Sequence, residues 1–269
     1  MKRFPNTLII VLILVILFGV LLRGFWENTA LMLTEYTVRD KRIPTEFDGF
    51  RIAQVSDLHN TTFGDDNKEL MDLLAQTQPD MIAITGDMVD RVRTDLGIAI
   101  AFAQEAVKIA PTYYTPGNHE AKVEEYPDLK SALIEAGVVV LENESQQFQK
   151  AQSNITVTGL MDPFFNLPMP NLSDETYQIV LSHRPELMDL YAQQGLELVL
   201  AGHAHGGQFR LPYVGGILAP HQGFFPKYDS GVFTQDSTTL VVSRGLGNSL
   251  FPFRLGNRPE LILITLESV

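Results

Sequence analysis

At 269 residues, 45% of them apolar and 19% charged, the chain is long enough for one large domain or two small ones with a full hydrophobic core. Its formal net charge of −12, with no basic stripe, excludes a surface built to bind nucleic acid. It contains no cysteine, which excludes a disulfide-stapled scaffold and suits a protein exposed to an oxidising compartment.

The first feature in chain order is Leu8 to Leu22, an unbroken apolar run of fifteen residues, preceded by Lys2 and Arg3 and followed by Arg23. As a helix it reaches about 23 Å, short of the roughly 30 Å hydrocarbon core of a bilayer. A snorkelling Arg23, with Phe25 and Trp26 at the interface, makes up the difference. A cleaved signal peptide and an uncleaved signal anchor both begin this way, but no Ala-x-Ala site follows Leu22. Residues 1–33 are therefore expected to form a single-pass anchor, and residues 34–269 one domain. Lys2 and Arg3 oppose Arg23, Arg39, Lys41 and Arg42, so the local basic count does not fix the orientation. A long following domain translocates largely regardless of such charges, and an extracytoplasmic body is expected.

Thr34 to Arg42 is polar and β-prone, a strand or a stalk. Arg51 to Val55 predicts a strand that ends in Ser56-Asp57-Leu58-His59. Leu70, Leu73 and Leu74 recur at helical spacing over Asn67 to Gln76, and Pro79 stops that helix. Met81 to Ile84 is continuously apolar, as in a strand buried on both faces, and runs into Thr85-Gly86-Asp87. A helix with Ala99, Phe102, Ala103, Ala106 and Ala110 on one face follows, closed by Pro111. Thr112 to Thr115 is the next strand, and it delivers Pro116-Gly117-Asn118-His119-Glu120.

A short helix is predicted between Asp128 and Glu135, then strands over Val138 to Leu141 and Ile155 to Gly159. The proline- and phenylalanine-bearing run Met161 to Leu172 is a loop that either walls a pocket or simply connects. Gln178 to Ser182 predicts a strand ended by His183, and Pro185 starts a short helix bearing Leu187, Leu190 and Tyr191. Leu198 to Ala201 then leads into Gly202-His203-Ala204-His205-Gly206-Gly207-Gln208. From Phe209 to Phe233 the chain turns glycine-, proline- and aromatic-rich, with strands expected near Thr239 to Ser243 and Leu261 to Leu266.

Each Asp or His on these turns, taken alone, is as well explained by a helix cap or a surface side chain. Their common position changes that. In sheets with helical crossovers the carboxyl ends of parallel strands lie side by side, so Asp57, His59, Asp87, Asn118, His183, His203 and His205 converge. Five of the six histidines fall at such ends, and His221 is left as an ordinary loop histidine. Seven candidate ligands exceed one tetrahedral zinc and suit two metals about 3.5 to 4 Å apart. The mixed imidazole, carboxylate and amide set favours Mn²⁺, Fe or Zn²⁺ over Mg²⁺ or Ca²⁺. Such a cation pair supplies locally the positive charge for phosphate that an acidic chain lacks.

Asp57-x-His59, Gly86-Asp87, Gly117-Asn118-His119-Glu120, His183 and Gly202-His203-Ala204-His205 together resemble the ordered signature of the calcineurin-like metallophosphoesterases, over about Arg51 to Gln208. Ala204 departs from the usual Thr between the two histidines, with little functional loss expected. Ser243-Arg244-Gly245-Leu246-Gly247 and Arg258-Pro259-Glu260 resemble the membrane-associated or exported bacterial phosphodiesterase branch. The resemblance implies an α/β fold, a four-layer α/β/β/α sandwich of two mixed sheets. It also implies that Asp57, His59, Asp87 and His205 hold one metal and Asp87, Asn118, His183 and His203 the other, with Asp87 bridging. His119 would not bind metal but would protonate the leaving alkoxide or stabilise the transition state, with Asp57 as a candidate for orienting it.

The expected chemistry is hydrolysis by a hydroxide bridging the two metals, with no phosphoenzyme, and it should fail in acid because ligand histidines must be neutral. The expected substrate is a phosphodiester or pyrophosphate at the cell envelope. A phosphomonoester or a UDP-sugar lipid is the alternative, and a non-catalytic metal-binding scaffold a further one.

Overall fold

The structure, a computed structural model, describes residues 6–163, 176–248 and 251–269. It opens with helix α1 (Asn6–Thr29), in which Leu8–Thr29 is long and apolar enough to cross a membrane by length and composition. The helix outlasts the apolar run because Arg23 pairs with Glu27 one turn on, at 2.7 Å. Only two residues separate it from strand β1 (Met32–Asp40), so the segment that was strand or stalk is a strand.

There follow β2 (Arg51–Val55), α2 (Lys68–Gln76), β3 (Met81–Thr85), α3 (Leu96–Ile109), β4 (Thr112–Thr115), α4 (Tyr126–Ala136) and β5 (Val139–Val140). The second half holds β6 (Ser145–Lys150), β7 (Ser153–Gly159), β8 (Gln178–Leu181), α5 (Met188–Gln193) and β9 (Leu198–Ala201). Two short ribbons come next, β10 (Arg210–Leu211) with β11 (Gly215–Gly216) and β12 (Leu218–Ala219) with β13 (Gly223–Phe224). β14 (Gly231–Gln235), β15 (Thr238–Val242) and β16 (Glu260–Ser268) end the chain. The expected pocket-wall loop lies, from residue 164 to 172, outside the described residues.

Two six-stranded sheets form, in the orders β1-β16-β2-β3-β4-β5 and β14-β15-β9-β8-β7-β6. Within them β2, β3, β4 and β5 run parallel, as do β7, β8, β9 and β15, while β16 opposes β2 and β6 opposes β7. Both sheets are therefore mixed.

Period-two alternation explains the layers. Ile52, Met81 and Ala83 turn toward Ile179, Leu181, Leu198 and Leu200 of the other sheet, with Phe47 and Phe50 filling the seam. The intervening Ala53, Val55, Ile82 and Ile84 face Leu70, Phe102 and Leu129 of α2, α3 and α4. On the far side Val180, Val199 and Ala201 pack on Met188 and Tyr191 of α5. Strands covered on both faces read as continuous apolar runs, and the result is four layers, α/β/β/α.

Candidate metal centre

The parallel strands of both sheets end along one edge. There β2 presents Asp57 and His59, β3 Asp87, β4 Asn118 and His119, β8 His183, and β9 His203 and His205. Five of these leave the strand in the left-handed region, with φ of 53° for Asp57, 46° for His59, 54° for Asp87, 67° for His203 and 47° for His205. Residues with a Cβ enter that region at a cost of roughly 1–2 kcal/mol each. Concentrated at one edge, this is the strain that functional sites carry and the surrounding fold must hold in place.

Close backbone approach does the holding. A Cβ on Gly202 would stand 1.9 Å from Ser56 Oγ and 2.3 Å from Asp57 Oδ2, so β9 reaches the Asp57 turn only because that residue is glycine. The loop after β15 braces the same turn, with Leu246 N–H donating to Ser56 O at 3.0 Å and Gly247 N–H to Asp57 O at 2.6 Å. Glu260 accepts from Arg244 N–H at 3.0 Å and Thr34 Oγ1 at 2.6 Å, which ties that loop to β1.

Six of the seven predicted ligands come together as two adjoining sets, and the seventh, Asn118, lines the same cavity. In the first, His59 Nε2 lies 3.2 Å from His205 Nε2 and 3.8 Å from Asp57 Oδ1, which is itself 3.4 Å from His205 Nε2. In the second, His183 Nε2 lies 3.1 Å from Asp87 Oδ2 and 3.2 Å from His203 Nδ1. Asp87 Oδ2 faces both sets, since His59 Nε2 is 3.6 Å away. Donor atoms about 2.1 Å from one ion stand roughly 3.0–3.5 Å from each other, close to these separations.

The chemistry of the donors fits divalent cations. Asn118 Oδ1 is buried without a hydrogen-bond partner, and an amide oxygen is a ready metal donor. Burial drives His205 down to about 3 and, with His183 and Arg184 nearby, pushes His203 well below the usual imidazole range, leaving both rings neutral. Burial alone would raise Asp57 and Asp87, but the surrounding imidazoles outweigh it and hold both carboxyls low. His183 and His59 go the other way: against their burial, Asp87 and Asp57 lift His183 to about 10 and raise His59, so in the metal-free chain protons there offset the buried carboxylates. A cation would take that place.

His119 differs from the ligand set. Its Nδ1 accepts the Arg91 N–H at 3.0 Å, which leaves the ring proton on Nε2, 3.9 Å from Asp87 Oδ2. Burial lowers its pKa to about 4. The carboxylate beside its Nδ1 is Asp90, at 3.8 Å, and not the expected Asp57, which is taken up by His59, His183 and His205. His221 likewise departs from expectation. Its Nδ1 lies 2.9 Å from His203 Nε2 and 2.8 Å from Arg184 NH1, while Arg184 itself is buried and paired bidentately with Asp162. His221 thus belongs to the site's surround, and its place on the turn between β12 and β13, strands of two residues that no periodicity reveals, hid it.

These groups open into a cavity of about 320 Å³, whose wall carries Arg91 and Lys122 together with Leu218, Pro220, His221 and Phe251. Imidazoles and carboxylates gathered at one sheet edge beneath such a cavity are how proteins that hydrolyse esters with bound metal ions are built. Residues 50–207 match the calcineurin-like phosphoesterases, and the chain belongs to that family. The metallophosphoesterase YkuE of Bacillus subtilis, itself uncharacterised, is 31% identical over 91% of this chain and 88% of its own length. The phosphodiesterase YaeI of Escherichia coli is 28% identical over 81% of this chain and 82% of its own. A transmembrane protein with a metallophosphoesterase domain from Bos taurus is 26% identical over 88% of this chain and 57% of its own. The chain is accordingly a metal-dependent phosphoesterase, a hydrolase.

Proposed function

We propose that the chain is a phosphodiesterase of the cell envelope, with residues 1–33 as an uncleaved single-pass anchor and residues 34–269 as an extracytoplasmic catalytic body. Asp87 Oδ2, facing both donor sets at 3.1 and 3.6 Å, is the observation that carries the reading. Asp57, His59, Asp87 and His205 would hold one cation and Asp87, Asn118, His183 and His203 the other, with Mn²⁺, Fe or Zn²⁺ suited to the donors. Bound there, the cations supply charge neutralisation for the phosphoryl oxygens and a water acidified toward neutral pH.

The chain's own groups do the rest. His119 keeps an N–H on Nε2 because the Arg91 N–H occupies Nδ1 at 3.0 Å, and the neutral ring would donate that hydrogen bond to the leaving oxygen as charge develops there, with solvent water supplying the proton. Arg91 and Lys122 on the cavity wall meet the anionic ester, and Leu218 and Phe251 on the same wall give room to a second, apolar ester substituent. That room favours a diester over a monoester. The curated relative named as a phosphodiesterase supports the same choice. Glu27, buried against the body and accepting the Gly256 N–H at 2.5 Å, supports an N-terminal helix that stays attached.

The test is hydrolysis of bis(4-nitrophenyl) phosphate and 4-nitrophenyl phosphate by the detergent-solubilised full chain with Mn²⁺. Diester turnover is expected to exceed monoester turnover and to fall about 10²- to 10⁴-fold in His119→Ala, with metal content unchanged. Faster monoester cleavage, or an undiminished variant, would reject the assignment.

A further inference from the structure

We infer that the cavity rim rests on the bilayer that holds α1, and that the substrate is a phosphodiester in the head group of a membrane lipid; this rests on the phosphodiesterase reading above. The observation is a continuous aromatic path from the apolar helix to the cavity. Phe25 of α1 meets Phe253 edge-on at 6.3 Å, Phe253 meets Phe209 at 6.4 Å, and Phe209 meets Phe251, a cavity-wall residue, at 6.3 Å. The helix is seated firmly at the start of that path. Asn28 exchanges hydrogen bonds with Pro252 O and Arg254 N–H, both at 2.8 Å, and a Cβ on Gly24 would collide with the Phe253 ring at 1.8 Å. With only two residues between α1 and β1, the cavity cannot swing away from the plane the helix defines.

The β12–β13 ribbon, whose Leu218 and Ala219 line the cavity, carries apolar side chains outward. Phe224 is 73% exposed and Phe225 66%, and Phe225 N–H donates at 2.9 Å to Ile217 O, beside the cavity-wall residue Leu218. Phe225 and the fully exposed Tyr213 also sit at φ of 54° and 66°, a conformation that bulky side chains rarely adopt. In water, such strain brings an aromatic ring no burial in return. At a lipid interface the ring is buried, and aromatic side chains are enriched there. Scattered exposed apolar residues are ordinary, but Phe224, paired in register with the cavity-wall residue Leu218, and Phe225 next to it stand on the same side of the mouth as a wall that an aromatic path joins to an apolar helix, which marks a surface that meets something apolar. A lipid head group presented there would set its phosphodiester against Arg91 and Lys122 while its chains stay among the rim aromatics.

The chain's lack of cysteine makes an introduced thiol unique. Full-length Phe225→Cys carrying a nitroxide, in nanodiscs of phosphatidylcholine and phosphatidylglycerol, is expected to be more accessible to oxygen than to a nickel chelate. A label at Leu14→Cys in α1 should behave alike, and one at Gln152→Cys, on the turn before β7 at the opposite strand edge, should not. A water-exposed label at 225 overturns the inference. The second arm compares 4-nitrophenyl hexadecyl phosphate embedded in the discs with 4-nitrophenyl methyl phosphate in solution, two diesters with one leaving group. The double variant Phe224→Ser, Phe225→Ser is expected to lose tenfold or more on the embedded ester and less than twofold on the soluble one. Equal losses, or none, overturn the lipid-substrate inference although diesterase activity stands. If the unaltered chain cleaves neither ester, the phosphodiesterase reading fails and the lipid substrate falls with it.

Discussion

The Glu120 carboxylate accepts the Asp87 N–H at 2.9 Å, the Met88 N–H at 2.7 Å and the Gly117 N–H at 2.8 Å, so one buried side chain fixes the turns that carry Asp87, Asn118 and His119. Burial and the Asp87 charge raise its pKa to about 7, which the N–H donors oppose. In Glu120→Gln an NH₂ group faces one of those donors, and a loss of about 1–3 kcal/mol is expected. Thermal unfolding should show a lower Tm and elemental analysis fewer than two metals per chain. A second prediction follows from the imidazoles. His119 and His205, held near 4 and 3, stay neutral in the folded metal-free chain while the unfolded chain gains protons below about 6.5. Their contribution is therefore full above pH 6.5 and drains as pH falls toward 4. His183, raised to about 10, contributes in the opposite sense, fully below pH 6.5 and progressively less up to 10. Melting temperatures of the chelator-stripped chain should thus peak near neutrality, and Mn²⁺ should flatten the alkaline limb because a ligating His183 has no proton to lose. A monotonic profile in the stripped chain would count against these assignments. The ligand candidates were legible in the sequence because each follows a recognisable strand. Asp90, Arg184 and His221 were not, since what places them is a partner distant in the chain: Asp90 beside His119, Arg184 against Asp162, His221 against His203.

Among the elements, β9 and β2 touch where Gly202 meets the Ser56–Asp57 turn. Gly202→Ala must displace Asp57 or Ser56, and is expected to abolish metal binding at the first donor set and lower the Tm by several degrees. Gly19→Ala is the control, because nothing lies within 4 Å of that position in α1 and alanine favours the helix by about 1 kcal/mol. Calorimetric metal titration of both variants checks the pair, and equal affinities would contradict the close contact. The buried strands β3, β8 and β9 were readable because two covered faces leave no polar alternation, and α2 and α3 because their apolar residues keep one face. The edge strand β6, Ser145–Lys150, offered no such pattern: most of it is exposed, and its pairing with β7 decides its conformation. The ribbons between Arg210 and Phe224 escaped for a related reason, since two-residue strands are too short for any period to show.

At the scale of the molecule, helix and body meet through Glu27, which is 1% exposed and holds the Gly256 N–H at 2.5 Å and Arg23 at 2.7 Å. Glu27→Ala leaves that N–H unpaired, at a cost of about 1–3 kcal/mol. Hydrogen exchange in residues 251–258 is expected to quicken while β2, β3 and β9 stay protected, and uniform protection would show that the hook is dispensable. The pairing of the chain's ends has a consequence in time. β1 is made early, yet its partner is β16, register Met32 to Glu260 through Asp40 to Ser268, and β16 also stands between β1 and β2. Until β16 leaves the ribosome, the first strand has no neighbour and the first sheet lacks a central member. The first sheet thus stays open while the 219 residues between β1 and β16 are made, and closes only when the two strands meet. A chain stopped a dozen residues short would leave the helix joined to a sheet that cannot close.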